Sequence, residues 1–422
     1  MQNQSFDELN LSAPIFRAVK AEGYQRPTPI QSAVIPHLIE GRDLIGCAQT
    51  GTGKTAAFAL PILQRLSTQR KKALPRSSRV LVLTPTRELA AQVGESFRTY
   101  GRHLNLNHAL VFGGVGQYPQ VKSLSRGADV LVATPGRLLD LMNQRHVDLS
   151  GVEVFVLDEA DRMLDMGFLP DVKRIIATLP RKRQTLLFSA TMAPEIVKLA
   201  EGMLLNPVKV EMASPSSTLE SIDEHVLFVD DGNKRALLSE LLKLWDISRA
   251  LVFTRTKHGA DRLVKQLEQS LVEARAIHGN KSQTSRTAAL NAFRNGRCRL
   301  LVATDIAARG IDVDGITHVI NYDLPNDPES YIHRIGRTGR AGAAGTAISF
   351  CGGGDRAYLR SIERLLKRSV PVYEDHPYHS TNAANADASM KAVSPRNWHS
   401  SNRKRGTYAG SRNRRYHSRK YS

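Results

Sequence analysis

The sequence predicts an α/β protein of two tandem domains, each a doubly wound parallel sheet, followed by a basic tail. Short apolar runs alternate with helical segments in both halves of the chain, a glycine-rich loop follows the first clear run, and residues 388–422 hold ten Lys or Arg and no acid. A chain of 422 residues suits two domains of about 150–200 residues better than one core. We expect domains at 1–210 and 222–370, a linker at 211–221 and the tail at 371–422.

Composition narrows the class of protein. The formal charge is +19 and the isoelectric point is near 10.0, which favours a polyanionic partner, and nucleic acid over membrane. An apolar segment of 18 or more residues and a secretory leader are both lacking, so we expect a cytoplasmic protein. Cys47, Cys298 and Cys351 share no metal-ligand spacing and are expected to be buried filler.

An acidic pair ends one predicted strand. The run VFVL, Val154 to Leu157, is apolar enough for a strand buried on both faces, and Asp158 and Glu159 follow it. Ligands of open α/β sheets bind beyond the carboxyl ends of the strands, so these acids are expected to face a site. Alone, the pair would more simply be a solvated turn.

A phosphate-binding loop precedes it in the chain. A predicted strand, Asp43–Cys47, leads into AQTGTGKT, Ala48 to Thr55, and an apolar helix. The glycines let backbone N–H groups turn toward phosphate, Lys54 would reach the β- and γ-phosphates, and the Thr55 hydroxyl would hold magnesium. The general P-loop pattern has Gly where Ala48 stands, but the strand–loop–helix setting supports the match. With the acidic pair, this loop predicts a magnesium-nucleotide site.

Other polar segments are placed around the same sheet. The stiff Pro27–Pro29 segment precedes Gln31, whose amide donates and accepts at once and so suits the edge of an adenine. PTRE, GG and TPGR each follow a predicted strand and should gather along one edge. Arg87 and Arg137 there are expected to help track a phosphate backbone.

The second half lacks another P-loop and is expected to lend residues to the first. TDIAARGID, Thr304 to Asp312, follows a strand, and HRIGRTGR, His333 to Arg340, spaces arginines with glycines. Such a basic segment is often a solvated face. The small spacers favour Arg337 and Arg340 as fingers that approach a γ-phosphate.

The tail differs in kind from the rest. Residues 388–422 interleave arginines with Trp398 and three tyrosines, Tyr408, Tyr416 and Tyr421, and their composition predicts a segment that is disordered alone. Arginine with scattered aromatics suits single-stranded nucleic acid. The alternative is a tail that only aids solubility.

The motifs, in order, are GYQRPTPIQ, AQTGTGKT, PTREL, GG, TPGR, DEAD, SAT, VFTRT, QTSR, ATDIAARGID and HRIGRTGR. From about Phe6 to about Lys367 the chain closely resembles the DEAD-box ATP-dependent RNA helicases of superfamily 2, the bacterial RhlE-like type in particular. The resemblance implies two RecA-like domains, ATP and Mg²⁺, and RNA-dependent ATP hydrolysis with local, non-processive unwinding. Ala48, unusual for P-loops in general, is what this family usually has.

The resemblance also implies roles for individual residues. Asp158 would hold magnesium through water together with Thr55, and Glu159 would deprotonate the attacking water. Lys54, Arg337 and Arg340 would act on the phosphates. The remaining nucleotide contacts would be Phe6, Tyr24, Gln31, Ala48, Gln49, Thr50, Gly51, Thr52, Gly53 and, on the ribose, Asp312. RNA-backbone contacts would be Pro85, Arg87, Gly114, Thr134, Arg137, Arg286 and Thr304. Interdomain coupling would involve Asp161, Ser189, Thr191 and His333.

Two other functions stay open at this point. One is an ATP-gated RNA clamp or annealing chaperone, in which strand separation is incidental. The other is a DNA-directed helicase of the same superfamily, which the 2′-OH of RNA would distinguish. Ribonucleoprotein partners are compatible with the sequence, and a monomer is the default expectation.

Overall fold

The computed structural model describes residues 5–48, 51–69, 71–212, 222–308, 311, 313, 315–339 and 344–386. These residues form two α/β units joined through residues 213–221, as the alternation of strands and helices predicts. Four predicted site residues and the end of the tail lie outside the described part: Gln49, Thr50, Asp312, Arg340 and residues 387–422.

The first domain is built on a parallel sheet. Among the described residues its strand order is β3-β4-β2-β5-β6-β1-β7. After a 3-10 turn at Phe6–Leu9, the elements are α1 (Ala13–Ala21), α2 (Pro29–Ile39), β1 (Leu44–Cys47), α3 (Lys54–Thr68), β2 (Ser78–Leu83), α4 (Arg87–Tyr100), β3 (His108–Val111), α5 (Gln117–Leu124), β4 (Ala128–Ala133), α6 (Pro135–Asn143), β5 (Val154–Leu157), α7 (Ala160–Asp165), α8 (Leu169–Ile176), β6 (Gln184–Ser189), α9 (Pro194–Met203) and β7 (Val208–Glu211).

The strand order sorts the predicted motifs into two groups. Strands β5, β6 and β1 are neighbours, so the acidic pair, the SAT segment and the P-loop emerge side by side. Strands β3, β4 and β2 form the other half, so the GG, TPGR and PTRE segments emerge together there. Since all of these strands are parallel, both groups lie along one edge of the sheet.

The second domain repeats the architecture with the strand order β10-β11-β9-β12-β13-β8, again parallel throughout its described residues. Its elements are β8 (Ile222–Phe228), α10 (Lys234–Leu244), β9 (Ala250–Phe253), α11 (Lys257–Gln269), β10 (Ala274–Ile277), α12 (Gln283–Arg294), β11 (Leu300–Ala303), α13 (Asp305–Ala308), β12 (His318–Asn321), α14 (Pro328–Ile335), β13 (Gly345–Cys351), a 3-10 turn at Gly353–Asp355, α15 (Arg356–Leu366) and α16 (Thr381–Asn385).

Both faces of each sheet are covered by helices. In β2, Val80 and Val82 pack into one apolar cluster and Leu81 and Leu83 into the cluster on the opposite face. All four side chains are fully buried. This explains why the strands are continuous apolar runs rather than alternating ones. Cys298 and Cys351 are buried, as expected, whereas Cys47 is half-buried.

The predicted linker begins too early. Strand β7 pairs with β1 through Glu211, and the Met212 N–H donates to the Cys47 carbonyl at 3.0 Å. Residues 211 and 212 therefore belong to the first sheet. An edge strand of four residues carries too little periodicity to be distinguished from a linker in the sequence.

The tail begins later than predicted. Pro371 and Tyr373 exchange backbone hydrogen bonds with Val226 at 2.8 and 3.0 Å, and the Ser380 N–H donates to the Phe228 carbonyl at 3.0 Å. Ser380 then caps α16, whose Ala383 is buried. Residues 371–386 thus form a strap along the edge strand β8 and belong to the second domain.

No helix in the described part of the chain is long and apolar enough to cross a membrane.

Candidate nucleotide and RNA sites

The P-loop has the backbone that phosphate binding requires. Gly51 and Gly53 have φ of +87° and +93°, where any other residue would be strained. Gly53 directly precedes α3, so the loop delivers Lys54 and Thr55 to a helix N-terminus. Lys54 is buried and donates to the Ala48 carbonyl of the same loop. The lysine therefore already lies against the loop in which a phosphate would bind.

The acidic pair lies beside this loop and is almost fully buried. Asp158 is 2% exposed and Glu159 is 3% exposed. Burial first, and the Glu159 carboxylate second, raise the pKa of Asp158 to about 7 against the opposing charges of Lys54 and Arg162. The Asp158 Oδ1 atom has no hydrogen-bond partner among the described residues. This buried oxygen is available to a cationic ligand.

These donors fit Mg²⁺ bound together with a nucleotide. Magnesium typically takes one or two protein oxygens and completes its shell with water and phosphate. The Asp158 carboxylate and the Thr55 hydroxyl supply oxygens of that kind. Within the described residues no group of three or more His, Cys, Asp or Glu side chains could hold a metal by itself.

Asp161 ties the DEAD segment to the SAT segment. Its Oδ2 accepts from the backbone N–H groups of Ala190 and Thr191 at 3.0 and 3.1 Å, and its own N–H donates to the Ser189 hydroxyl at 3.1 Å. The structure thus brings three of the four predicted coupling residues together. His333, the fourth, lies half-buried in the second domain, where it lines a small cavity with Arg337.

The side-chain amide of Gln31, the predicted adenine contact, is hydrogen-bonded within the protein on both sides. The Oε1 atom accepts from the Thr28 N–H at 2.9 Å, and Nε2 donates to the Gly53 carbonyl at 3.1 Å. Phe6 stacks on Tyr24 with centroids 6.4 Å apart. Gln31 therefore connects the segment before α2 to the P-loop here. Its Oε1 can accept one further hydrogen bond and its Nε2 can donate one more, so Gln31 could also contact the edge of an adenine.

The predicted RNA contacts converge on a cleft of about 330 Å³ between the domains. Five of the seven predicted residues line it: Pro85, Arg87, Thr134, Arg137 and Arg286. Gly114 lies against the Arg87 guanidinium so closely that a Cβ there would overlap it. Thr304 lies two residues before Ile306, which lines the cleft. Burial first, then the charge of Arg286, lower the pKa of Arg87, as expected where cations are gathered for an anion.

A polar bridge crosses between the domains beside this cleft. The Arg286 guanidinium contacts Glu88 at 2.9 Å, and Gln283 donates to the other Glu88 oxygen at 3.0 Å. The side chains of Arg286 and Glu88 are 11% and 4% exposed. The Arg87 guanidinium donates to the Gln283 side-chain Oε1 atom at 3.5 Å. Two of the predicted RNA contacts, Arg87 and Arg286, therefore also join the two domains.

In the second domain, Arg337 is buried and donates to the Ile311 carbonyl at 2.9 Å and to the His333 carbonyl at 3.3 Å. Its neighbour Arg334 binds both carboxylate oxygens of Asp305 and packs over the Phe253 ring at 4.9 Å. Arg334 thereby fixes α14 to the segment after β11. The two segments predicted to meet the nucleotide are held together within one domain.

Several residues of these sites were not predicted. Glu88 and Gln283 lie inside the quoted motifs, but nothing in a single sequence says that they pair with each other. Met166, Phe168 and Ile306 line the RNA cleft with apolar surface. Ile306 is 65% exposed, and its apolar side chain within the polar start of the TDIAARGID motif was the available signal.

The fold, the P-loop with its acidic pair and the basic interdomain cleft define a class of protein: a P-loop nucleotide-binding protein with two RecA-like domains. The DEAD/DEAH box helicase family matches residues 28–199, and the helicase conserved C-terminal domain matches residues 233–342. DEAD-box ATP-dependent RNA helicase CshA of Streptococcus pneumoniae is 44% identical over 365 residues, 86% of this chain and 69% of that protein. The protein of that name from Bacillus cereus is 43% identical over 366 residues, 87% of this chain and 69% of its own length.

Solved structures agree. Dbp5 of S. cerevisiae, bound to RNA and ADP BeF3, aligns with a TM-score of 0.77 at 34% identity and covers 87% of this chain and 95% of its own. A DEAD box protein from Methanococcus jannaschii aligns with a TM-score of 0.53 at 39% identity, covering 87% and 99%. The chain belongs to the DEAD-box family of ATP-dependent RNA helicases. Its placement within the RhlE-like type stays a prediction.

Proposed function

We propose that this helicase couples RNA-dependent ATP hydrolysis to the local, non-processive opening of short RNA duplexes or RNA–protein complexes. The observation that carries the proposal is the interdomain cleft, in which Arg87 and Arg137 of one domain face Arg286 of the other. A strand bound there contacts both domains at once. Binding would therefore favour the closed arrangement, and ATP, which also needs both domains, would favour the same state.

The cleft supports recognition of the sugar–phosphate backbone. Its cationic lining consists of the guanidinium groups of Arg87, Arg137 and Arg286, and the Glu88 carboxylate in the same lining pairs with Arg286. Guanidinium groups can follow phosphates without discriminating bases. A strand bent by two closed domains would expel its complement, and hydrolysis would reopen the cleft. We therefore expect weak sequence preference and unwinding limited to short duplexes.

The nucleotide side supplies the chemistry. We assign Lys54 to the phosphates, Thr55 and Asp158 to magnesium, and Glu159 to the attacking water. Magnesium, when bound, would neutralise charge on the phosphates. Arg337 would stabilise the charge that develops on the γ-phosphate, together with Arg340, which lies outside the described residues.

The proposal is tested by steady-state ATP hydrolysis with magnesium, alone and with matched single-stranded RNA or DNA at one salt concentration. Strong stimulation by RNA and little by DNA supports it. Equal stimulation by both would indicate a general nucleic-acid motor instead. RNA binding without stimulation would favour the ATP-gated clamp.

Glu159→Gln tests the catalytic assignment. The amide keeps the shape of the carboxylate but cannot accept the proton, so hydrolysis should be lost while ATP and RNA still bind. Unchanged turnover would remove Glu159 from its role as the base.

The proposal also includes a cytoplasmic location, ribonucleoprotein partners and a monomeric state. Cell fractionation tests the location and the partners, and light scattering tests the monomeric state.

A further inference from the structure

Glu159 has a buried partner on α7, the helix that follows it. The Arg162 Nη1 atom contacts the Glu159 Oε2 atom at 2.7 Å. The two side chains are 5% and 4% exposed, so this pair is shielded from solvent and from screening ions. It differs in this respect from the exposed i,i+3 pairs on the surface, such as Arg174 with Asp171 at 3.8 Å.

Arg162 is itself held firmly. Its backbone N–H donates to Asp161 Oδ1 at 3.0 Å, and Asp161 is anchored to the SAT segment through the contacts given above. The next residue, Met163, is 1% exposed in the core. A line of contacts therefore runs from the SAT segment through α7 to the Arg162 guanidinium. The planar, multiply donating guanidinium is well suited to fixing a carboxylate in one orientation.

Glu159 has particular need of such a partner. Its φ is +56°, in the left-handed region, and it lies between β5 and α7 rather than within either element. The carboxylate of Asp158, the preceding residue, repels the Glu159 carboxylate, and the burial of both side chains strengthens this repulsion. Without a neighbouring cation, both the charge and the orientation of this side chain would be poorly determined.

We propose that Arg162 is a positioning residue for hydrolysis, which holds the Glu159 carboxylate in the orientation that activates water. This inference rests on the proposed function of Glu159. In the step concerned, the water oxygen bonds to the γ-phosphorus, the bond from that phosphorus to the ADP oxygen breaks, and Glu159 accepts the water proton. Arg162 neither gains nor loses a proton; it fixes the group that does.

The pair lies within one domain, which sets Arg162 apart from the second-domain arginines. Opening or closing of the cleft leaves the contact with Glu159 in place. Loss of Arg162 should therefore lower the rate of the chemical step without weakening the coupling between ATP and RNA. Loss of Arg337 should affect both.

The test compares Arg162→Gln and Arg162→Lys in the full chain, with Arg174→Gln as the matched i,i+3 control. We expect Arg162→Gln to lower RNA-stimulated kcat about 100-fold, since misplacing a catalytic group by about 1 Å has that effect. The KM for ATP, and RNA affinity with a non-hydrolysable ATP analogue, should stay nearly unchanged. Arg162→Lys keeps the charge and should restore part of the rate, and Arg174→Gln should match the wild type.

A double variant separates this inference from the assignment of Glu159. If Arg162 acts through Glu159, adding Arg162→Gln to Glu159→Gln should cause no further loss. A further loss equal to that of the single variant would overturn the inference, as would wild-type kcat in folded Arg162→Gln. A parallel fall of kcat, ATP binding and melting temperature in both Arg162 variants would show a merely structural role. Full turnover in Glu159→Gln alone would instead refute the proposed base.

Discussion

Asp158 is expected to destabilise the ligand-free protein at neutral pH, and Asp158→Asn measures by how much. The side chain is 2% exposed, and its Oδ1 atom has no hydrogen-bond partner in the described part of the chain. Its pKa is raised from 3.8 to about 7. The folded state therefore binds this proton more tightly than the unfolded chain does, and the stability penalty appears as pH rises from 3.8 through about 7.

The magnitude follows from those two values. The full penalty above pH 7 is about 4 kcal/mol, and more than half of it develops between pH 5 and pH 8. Asparagine carries no charge, so Asp158→Asn lacks this dependence. The stability of the variant relative to the wild type should rise by about 3 kcal/mol over that interval.

Hydrogen exchange of the β5 and β6 amides in the full chain, with EDTA and without nucleotide, measures the stability of the first domain. Asp171→Asn, on the partly exposed first turn of α8, is the control and should show no such rise. A difference between Asp158→Asn and wild type that stays constant within about 0.5 kcal/mol from pH 5 to pH 8 would refute the argument.

Three further perturbations test the sites. Gly53→Ala should raise the KM for ATP at least about tenfold, because φ is +93° and the new Cβ would lie 2.5 Å from Gln31 Nε2. An unchanged KM in steady-state kinetics would contradict this prediction. Glu88→Gln should weaken the mutual enhancement of RNA and ATP-analogue binding about tenfold, because it removes the charge opposite Arg286. Fluorescence anisotropy with labelled RNA measures this enhancement. Full enhancement in the variant would show that the bridge between Glu88 and Arg286 is dispensable. Deleting residues 388–422 should weaken RNA binding and flatten its salt dependence by about 0.7 per lost phosphate contact; an unchanged slope would favour the solubilising tail.

Local pattern was enough to predict the motif-bearing segments. The roles of Gly51, Gly53 and Lys54 can be predicted from the eight residues Ala48–Thr55 alone, because a phosphate-binding loop is a local backbone conformation. Helix α4 likewise begins directly after Thr86 of the PTRE motif, whose side chain caps it. The predicted strands Val154–Leu157 and Asp43–Cys47 agree with β5 and, within one residue, with β1, since both are apolar runs in a sheet covered on both faces.

The features that the sequence did not predict depend on which of several possible partners a side chain contacts in the folded chain. Glu88 could pair with any nearby cation, and only the docking of α12 selects Arg286. Gln31 was assigned to adenine from its amide chemistry, yet here that amide joins Thr28 to Gly53. Residues 371–386 show little periodicity because hydrogen bonds to β8 and scattered apolar contacts of Tyr373, Tyr378 and Ala383, rather than one regular helix or strand face, hold them.

The strap along β8 has a practical consequence for expression of shortened forms. Strand β8 is the last strand in its sheet, and the strap covers part of its outer backbone with the hydrogen bonds of residues 371, 373 and 380. Truncation at residue 370, where sequence similarity to the helicase core fades, would leave that edge bare. Bare strand edges recruit other chains and aggregate. A tail-less protein intended for crystallisation or assays should therefore end after residue 386.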